Sequence, residues 1–274
     1  MAFSLASISV ALRRKRVFLG VRQDLPRYVR AKHPGRRSVH AMAAVLEGSY
    51  RLLALFCPVI VVGPELARRY RRGRRVLPIS VSLVREAEVP ARGELQEPRY
   101  DGALTALSVG RLEAEKNPLM LAEVLERLSP AWRLVICGEG PLEGELRERL
   151  RQLGLEDRAE LRGYVPIDGG LAELYRGAHA LLHVSFTEGV PQILFESFVA
   201  GLPVVATAVG GVPETVGEDA LLVPPGDPAA AADALERIAA DPDLRARLVA
   251  GGLERVRSRT LEAECRRVAE FMAG

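Results

Sequence analysis

The sequence predicts an α/β protein: a complete doubly wound, Rossmann-like domain over residues 101–274, preceded by a partial α/β domain over residues 1–100. Three observations carry this reading. From residue 104 onward, short apolar runs alternate with helical periodicities, the pattern of βαβ units and a parallel sheet. Residues 87–101 are rich in Glu, Pro and Arg without periodicity, which marks a linker. The charge also changes sign there. Residues 1–100 carry 20 Lys+Arg against 7 Asp+Glu, whereas residues 101–274 carry 18 against 28. A basic half and an acidic half suggest domains with different partners.

Taken in order, residues 1–12 are apolar but too short to span a bilayer, and their basic cluster Arg13-Arg14-Lys15-Arg16 follows the apolar run, the reverse of a signal peptide. They read as the tail of a helix. Residues 17–21, 58–62 and 76–79 read as short strands, with helical periodicity over 37–56. Beyond the linker, strands are expected at 104–109, 133–137, 159–161, 180–184, 203–206 and 220–223. Helices are expected at 118–128, 142–153, 171–175 and 191–200. Three helices close the chain at 228–240, 243–256 and 261–272, the last expected to pack back on the N-terminal part. Asp227-Pro228 and Asp241-Pro242 fit an N-cap followed by a proline in the first turn.

Composition bounds the function. With 274 residues, 48% hydrophobic and 27% charged, the chain is globular with room for a sizeable core. Cys57, Cys137 and Cys265 are odd in number and far apart, with no CxxC pair, so neither a disulfide framework nor a zinc site is expected. A reducing cytoplasm fits this pattern. The arginine runs at 13–16 and 68–75 suit peripheral contact with an anionic membrane or a phosphorylated substrate. An arginine-rich surface with solvated faces explains them more simply than either. Nucleic acid is disfavoured, because no stacking aromatics interleave with the basic residues.

Ligands of doubly wound sheets bind at the carboxyl ends of the strands. The loops expected there are 110–118, 138–141, 163–166 and 185–191. Gly110, Gly140 and their neighbours allow close backbone approach. Only three lysines occur, Lys15, Lys32 and Lys116. One lysine in a strand-end loop of an arginine-rich chain suggests a compact point charge, and Arg111 adds a fork to the same phosphate. The stretch from Ser185 to Glu196 places Glu188 before a helix whose turns are nearly all apolar, with Pro191 in the first turn. Backbone N–H groups there attract anions. Glu196 falls among apolar residues and needs a partner. The plainer reading makes Glu188 a surface residue and Glu196 a core residue paired with an arginine. His179 and His183 flank a strand and read as core or strand-end histidines.

At these residues the second half, from Ala106 onward, resembles the retaining glycosyltransferases of family 4, which have the GT-B fold. The pieces stand in family order: Ser-Val-Gly-Arg111-Leu with Lys116-Asn, Gly-Glu-Gly140-Pro, Gly-Tyr164-Val165, Glu188-Gly-Val-Pro-Gln-Ile-Leu-Phe-Glu196, and Gly201 through Gly210-Gly211 to Glu214. The resemblance implies a nucleotide-diphosphate-sugar donor. Arg111 and Lys116 would neutralise its diphosphate, and Glu188 would contact sugar hydroxyls. The backbone from Gly189 and Val190 through Pro191, Gln192 and Ile193 would bind phosphate or sugar oxygens. Glu196 would meet the ribose, and Tyr164 and Val165 would line the base pocket. It implies no metal and no cofactor. Residues 1–100 resemble only the later part of the family's N-terminal domain, so its opening strands are expected to be missing. Arg22-Gln23-Asp24 stands where many relatives carry a His. The competing expectations are a donor-binding module with weak transfer and a GT-B sugar-nucleotide epimerase.

Overall fold

A computed structural model describes residues 16–33, 35–80, 82–91, 94–95 and 98–274. Residues 1–12, expected as the tail of a helix, lie outside the described residues, as does part of the expected linker. Contacts divide the chain into a small unit, residues 1–81 with 262–274, and a large unit, residues 82–261. Residues 82–100 therefore group with the large unit.

In the small unit, β1 (Leu19–Val21), β2 (Val59–Val62) and β3 (Val76–Ile79) form a parallel sheet in that order. Helices α1 (Leu25–Lys32) and α2 (Arg37–Ala54) lie between β1 and β2 in sequence, and α3 (Pro64–Arg69) lies between β2 and β3. Val59, Val61, Cys57, Leu66 and Tyr70 make the core. Neither α1 nor α3 is expected from periodicity. Both start with proline in the first turn, and α1 is capped by the Asp24 side chain, which accepts from the Arg27 N–H at 3.1 Å. Asp24 also accepts from Arg69 Nη1 at 2.8 Å, so it has a structural task within this unit. The last helix, α11 (Leu261–Ala273), joins the small unit: Arg267 donates to the Pro78 carbonyl at 2.9 Å, and Phe271 packs edge-on against Phe18.

The large unit holds six parallel strands: β4 (Leu104–Val109), β5 (Trp132–Cys137), β6 (Ala159–Leu161), β7 (Ala180–His183), β8 (Val204–Thr207) and β9 (Leu221–Val223). Their spatial order is β6-β5-β4-β7-β8-β9. Three strands are laid down outward from β4 on one side, then three on the other, so the winding reverses between β4 and β7. That is a topological switch point. On one face α4 (Leu119–Arg127), α5 (Glu143–Gln152) and α9 (Pro228–Ala240) cover Trp132, Leu134, Ile136, Ala180 and Leu182. On the other, α6 (Leu171–Gly177), α7 (Gln192–Val199), the short α8 (Val212–Val216) and α10 (Pro242–Arg257) cover Leu107, Leu181, Val204 and Ala206. Both faces are buried, which is why the strands read as continuous apolar runs instead of alternating ones. Among the described residues, no helix is long and apolar enough to cross a membrane.

His179 locks the start of this sheet. Its Nδ1 accepts from the Thr105 N–H at 3.0 Å, so the ring proton sits on Nε2, which donates to the Arg99 carbonyl at 3.0 Å. Both ring nitrogens are used by a neutral imidazole. Burial holds the imidazole below its ordinary range of titration. The unfolded chain therefore binds a proton at higher pH than the folded one. Stability from this residue is present above about pH 6.5, the unfolded value, and is lost as pH falls toward the folded one. In urea unfolding, the parent should lose stability between pH 7 and pH 5 more steeply than His179→Gln. Equal slopes would contradict the assignment.

Candidate functional site

The carboxyl-end loops of the large sheet stack side by side into a continuous rim. The 162–166 loop meets the 138–141 loop, where Gly138 N–H donates to the Gly163 carbonyl at 2.7 Å. The next loop is reached through Leu112 N–H to the Glu139 carbonyl at 2.9 Å. Across the switch point, Phe186 N–H donates to the Glu115 carbonyl at 2.9 Å. Two glycines make this approach possible. Gly138 (φ 144°) and Gly210 (φ 53°) have left-handed backbones, and a Cβ on either would collide with the carbonyl of Gly110 or Glu188 respectively. A Cβ on Gly140 would likewise clash with the Leu112 backbone, and one on Gly211 with the Gly189 carbonyl.

Lys116 and Glu188 meet at the switch point. Lys116 Nζ donates to Glu188 Oε1 at 2.6 Å, and Ser185 Oγ donates to the same oxygen at 2.7 Å. Ser185 is held in turn by its carbonyl, which accepts from Thr207 Oγ1 at 2.6 Å. The Glu188 side chain is 8% exposed and Lys116 23%. The plainer reading of Glu188 as a surface residue does not hold. Burial alone would raise its carboxyl, but His183 and Lys116 outweigh burial and bring it down to about 2. His183 enters from the end of β7, its Nε2 3.1 Å from Oε1. From the sequence it reads as a core or strand-end histidine, and it is both: buried, and the last residue of β7. The available signal was a polar ring ending an apolar strand, two positions before Ser185-Phe-Thr.

Glu196 lies on α7. Leu194, Phe195, Ser197 and Phe198 are buried, while Gln192, Ile193, Glu196 and Val199 form a half-buried stripe. The helix is therefore not buried all round. Its cap residue is Pro191, with Gln192 the first helical position. Among the described residues, the N–H groups of Gly189, Val190, Gln192 and Ile193 find no protein acceptor. The partner that Glu196 needs is a hydroxyl, not the arginine of the plainer reading: Tyr175 on α6 donates to Oε2 at 2.8 Å. Burial raises the Glu196 carboxyl, with Tyr175 opposing it.

The remaining predicted residues spread along the rim. Arg111 is exposed and ion-paired with Glu113 at 2.5 Å and Glu115 at 2.6 Å, apart from the Lys116–Glu188 pair. Gly110 is exposed at the end of β4. Tyr164 is 73% exposed and its backbone N–H donates to Glu139 Oε1 at 3.3 Å, while Val165 is half-buried beside the core. Among the described residues, no group of three or more His, Cys, Asp or Glu is arranged to hold a metal ion.

Tyr175 is 2% exposed, so its hydroxyl depends on Glu196. Glu196→Ala should cost about 1–3 kcal/mol in chemical unfolding by orphaning that hydroxyl, and Glu196→Gln, which keeps an acceptor, clearly less. An alanine variant as stable as the parent would contradict the pairing.

Comparison with known proteins agrees with this architecture. The family described as glycosyl transferases group 1 matches residues 95–255. The chain is 29% identical over 210 residues to the lipopolysaccharide core biosynthesis glycosyltransferase LpsD of Rhizobium meliloti, covering 74% of this chain and 60% of that protein. It is 34% identical over 206 residues to a D-inositol 3-phosphate glycosyltransferase of Thermomonospora curvata, covering 70% and 47%. The chain thus spans less than two thirds of the length of these relatives. Among solved structures, Anabaena HepE in complex with UDP aligns with a TM-score of 0.77 at 18% identity, covering 99% of this chain and 76% of that one. WaaG, a glycosyltransferase involved in lipopolysaccharide biosynthesis, aligns with a TM-score of 0.70 at 15% identity, covering 98% and 81%. These likenesses show the α/β fold of the GT-B glycosyltransferases. The chain belongs to the glycosyl transferases group 1 family.

Proposed function

We propose that this protein holds a nucleotide-diphosphate-sugar at the rim of the large unit and transfers the sugar to an acceptor with retention of configuration. The observation that carries the reading is the Lys116–Glu188 pair at the switch point, beside the open N–H groups that begin α7. A diphosphate would take Lys116 and Arg111 as its cations and these N–H groups as its donors. Both cations are held by carboxylates in the structure, so an anionic ligand competes for groups already charged and positioned. All the Glu188 contacts given above reach Oε1, leaving Oε2 to accept from a sugar hydroxyl. Glu196 would accept from the ribose, with Val165 and the Tyr164 backbone beside the base. Charge that develops on the leaving diphosphate would be stabilised by the two cations without a metal ion. The leaving phosphate would take the acceptor proton on the same face.

Titration calorimetry of the parent chain with UDP-glucose, GDP-mannose and ADP-glucose tests the donor site. One of these should bind, equally well with EDTA present. Lys116→Ala and Arg111→Ala should each weaken that donor by about 1.5–3 kcal/mol. Parental affinity in both variants, or binding lost to EDTA and restored by manganese, would overturn the assignment.

We also propose that the small unit meets an anionic membrane. The positive charge of residues 1–100 and the exposed Met42, Val45, Leu46 and Leu52 on α2 support this. The chain should sediment with vesicles containing anionic lipid and not with neutral ones. Equal sedimentation with both kinds, or with neither, would refute the charge-based contact.

A further inference from the structure

Donor binding as proposed leaves a charge problem at Glu188, and the structure places one residue to meet it. In the structure described, the carboxylate has Lys116 as its counter-charge. A buried carboxylate that loses its ionic partner is strongly destabilised. Lysine is a compact charge on a flexible stem and can be drawn away by a diphosphate. The groups then left on Oε1 are the Ser185 hydroxyl, which is neutral, and His183.

His183 has no task in the mechanism above. It is 6% exposed, and Nε2 stands 3.1 Å from Oε1 but out of line for a hydrogen bond. Among the described residues, no other acceptor satisfies that nitrogen. A buried polar atom left without a partner beside a carboxylate calls for an explanation. We propose that His183 is a positioning residue that replaces Lys116 as the counter-charge of Glu188 when the donor binds. The ring takes one proton from solvent, Nε2–H donates to Oε1, and the carboxylate stays ionised and oriented while Lys116 serves the diphosphate. The inference rests on the donor-site reading.

Other ionisable groups stand on the neighbouring elements. The neighbour of His183 across the sheet is Ala206 of β8. Lys116 approaches from the loop after β4. Cys137 ends β5, Tyr175 lies on α6 and Glu196 on α7. Burial raises Cys137 and Tyr175, further from neutrality. Glu196 is raised toward it, so a variant must separate Glu196 from His183.

The chain has only four histidines, which makes ring-proton NMR tractable. The experiment titrates the parent from pH 5 to pH 8.5, free and saturated with whichever of UDP-glucose, GDP-mannose or ADP-glucose binds. A nucleotide-sugar is used because its diphosphate diester does not itself titrate in this window. The His183 resonance, assigned by its loss in His183→Gln, should titrate about one pH unit higher with donor bound, equivalent to about tenfold tighter donor binding when the ring is charged. Calorimetry of the parent in two buffers of different ionisation heat should show net proton uptake at pH 7, and His183→Gln should lose it. An unmoved His183 midpoint, or uptake that persists in His183→Gln, overturns the role of His183 while leaving the donor site standing. Failure of all three nucleotide-sugars to bind sinks the donor-site reading and this inference together.

Discussion

The contact between Lys116 and Glu188 is the constraint on which the rest of the site depends. It joins the loops that follow β4 and β7, the two strands between which the winding of the sheet reverses. Open parallel sheets leave a crevice at that point, and here a cation and an anion close it. The pair is partly buried, so its energy is decided by geometry and by further hydrogen bonds more than by Coulomb attraction alone. Ser185 and the Phe186–Glu115 backbone bond supply that geometry. The sign of the pH effect follows. Because the folded carboxyl of Glu188 is held down to about 2, its contribution is present above the unfolded carboxyl range and is lost as pH falls toward 2.

Around this contact, backbone packing sets the positions of the other polar groups. The loops touch through carbonyls that leave no room for a Cβ at Gly138 or Gly210. The rim is therefore built largely from main chain, and side chains such as Arg111 and Tyr164 decorate it while staying exposed. Glu196 belongs to a second anchor, with Tyr175, on the α6–α7 side. The two carboxylates eight residues apart are fixed by different neighbours: one by a cation, a hydroxyl and an imidazole, the other by a phenol. Burial raises both carboxyls: at Glu188 the imidazole and the cation outweigh it and bring the carboxyl down, whereas at Glu196 the phenol opposes burial without reversing it.

Much of the large unit was legible in the sequence, because a sheet covered on both faces writes each strand as an apolar run. The 104–109 and 159–161 strands and the 228–240 helix have the expected bounds, and elsewhere an end moves by at most two residues. Helices α1, α3 and α8 were not legible: α1 is strongly polar, and the other two are only six and five residues long. The contacts begin the large unit at residue 82, ahead of the 87–101 stretch that composition suggests as a linker. Within the site, the strand-end positions of Lys116 and Glu188 could be read from loop order, but their contact spans 72 residues and has no local signature. The same holds for Tyr175, whose hydroxyl pairs with Glu196 from another helix, and for His183, whose neighbour is set by how the loop after β7 folds back.

A double-mutant cycle on Lys116 and Glu188 tests the central claim most directly. The unfolding free energies of the parent, Lys116→Met, Glu188→Gln and the double variant give the coupling between the two side chains. A partly buried pair that closes the switch point should show a favourable coupling of about 1–3 kcal/mol, the double variant losing less than the sum of the single losses. Additive losses, with a coupling near zero, would show that the contact does not hold the two loops together.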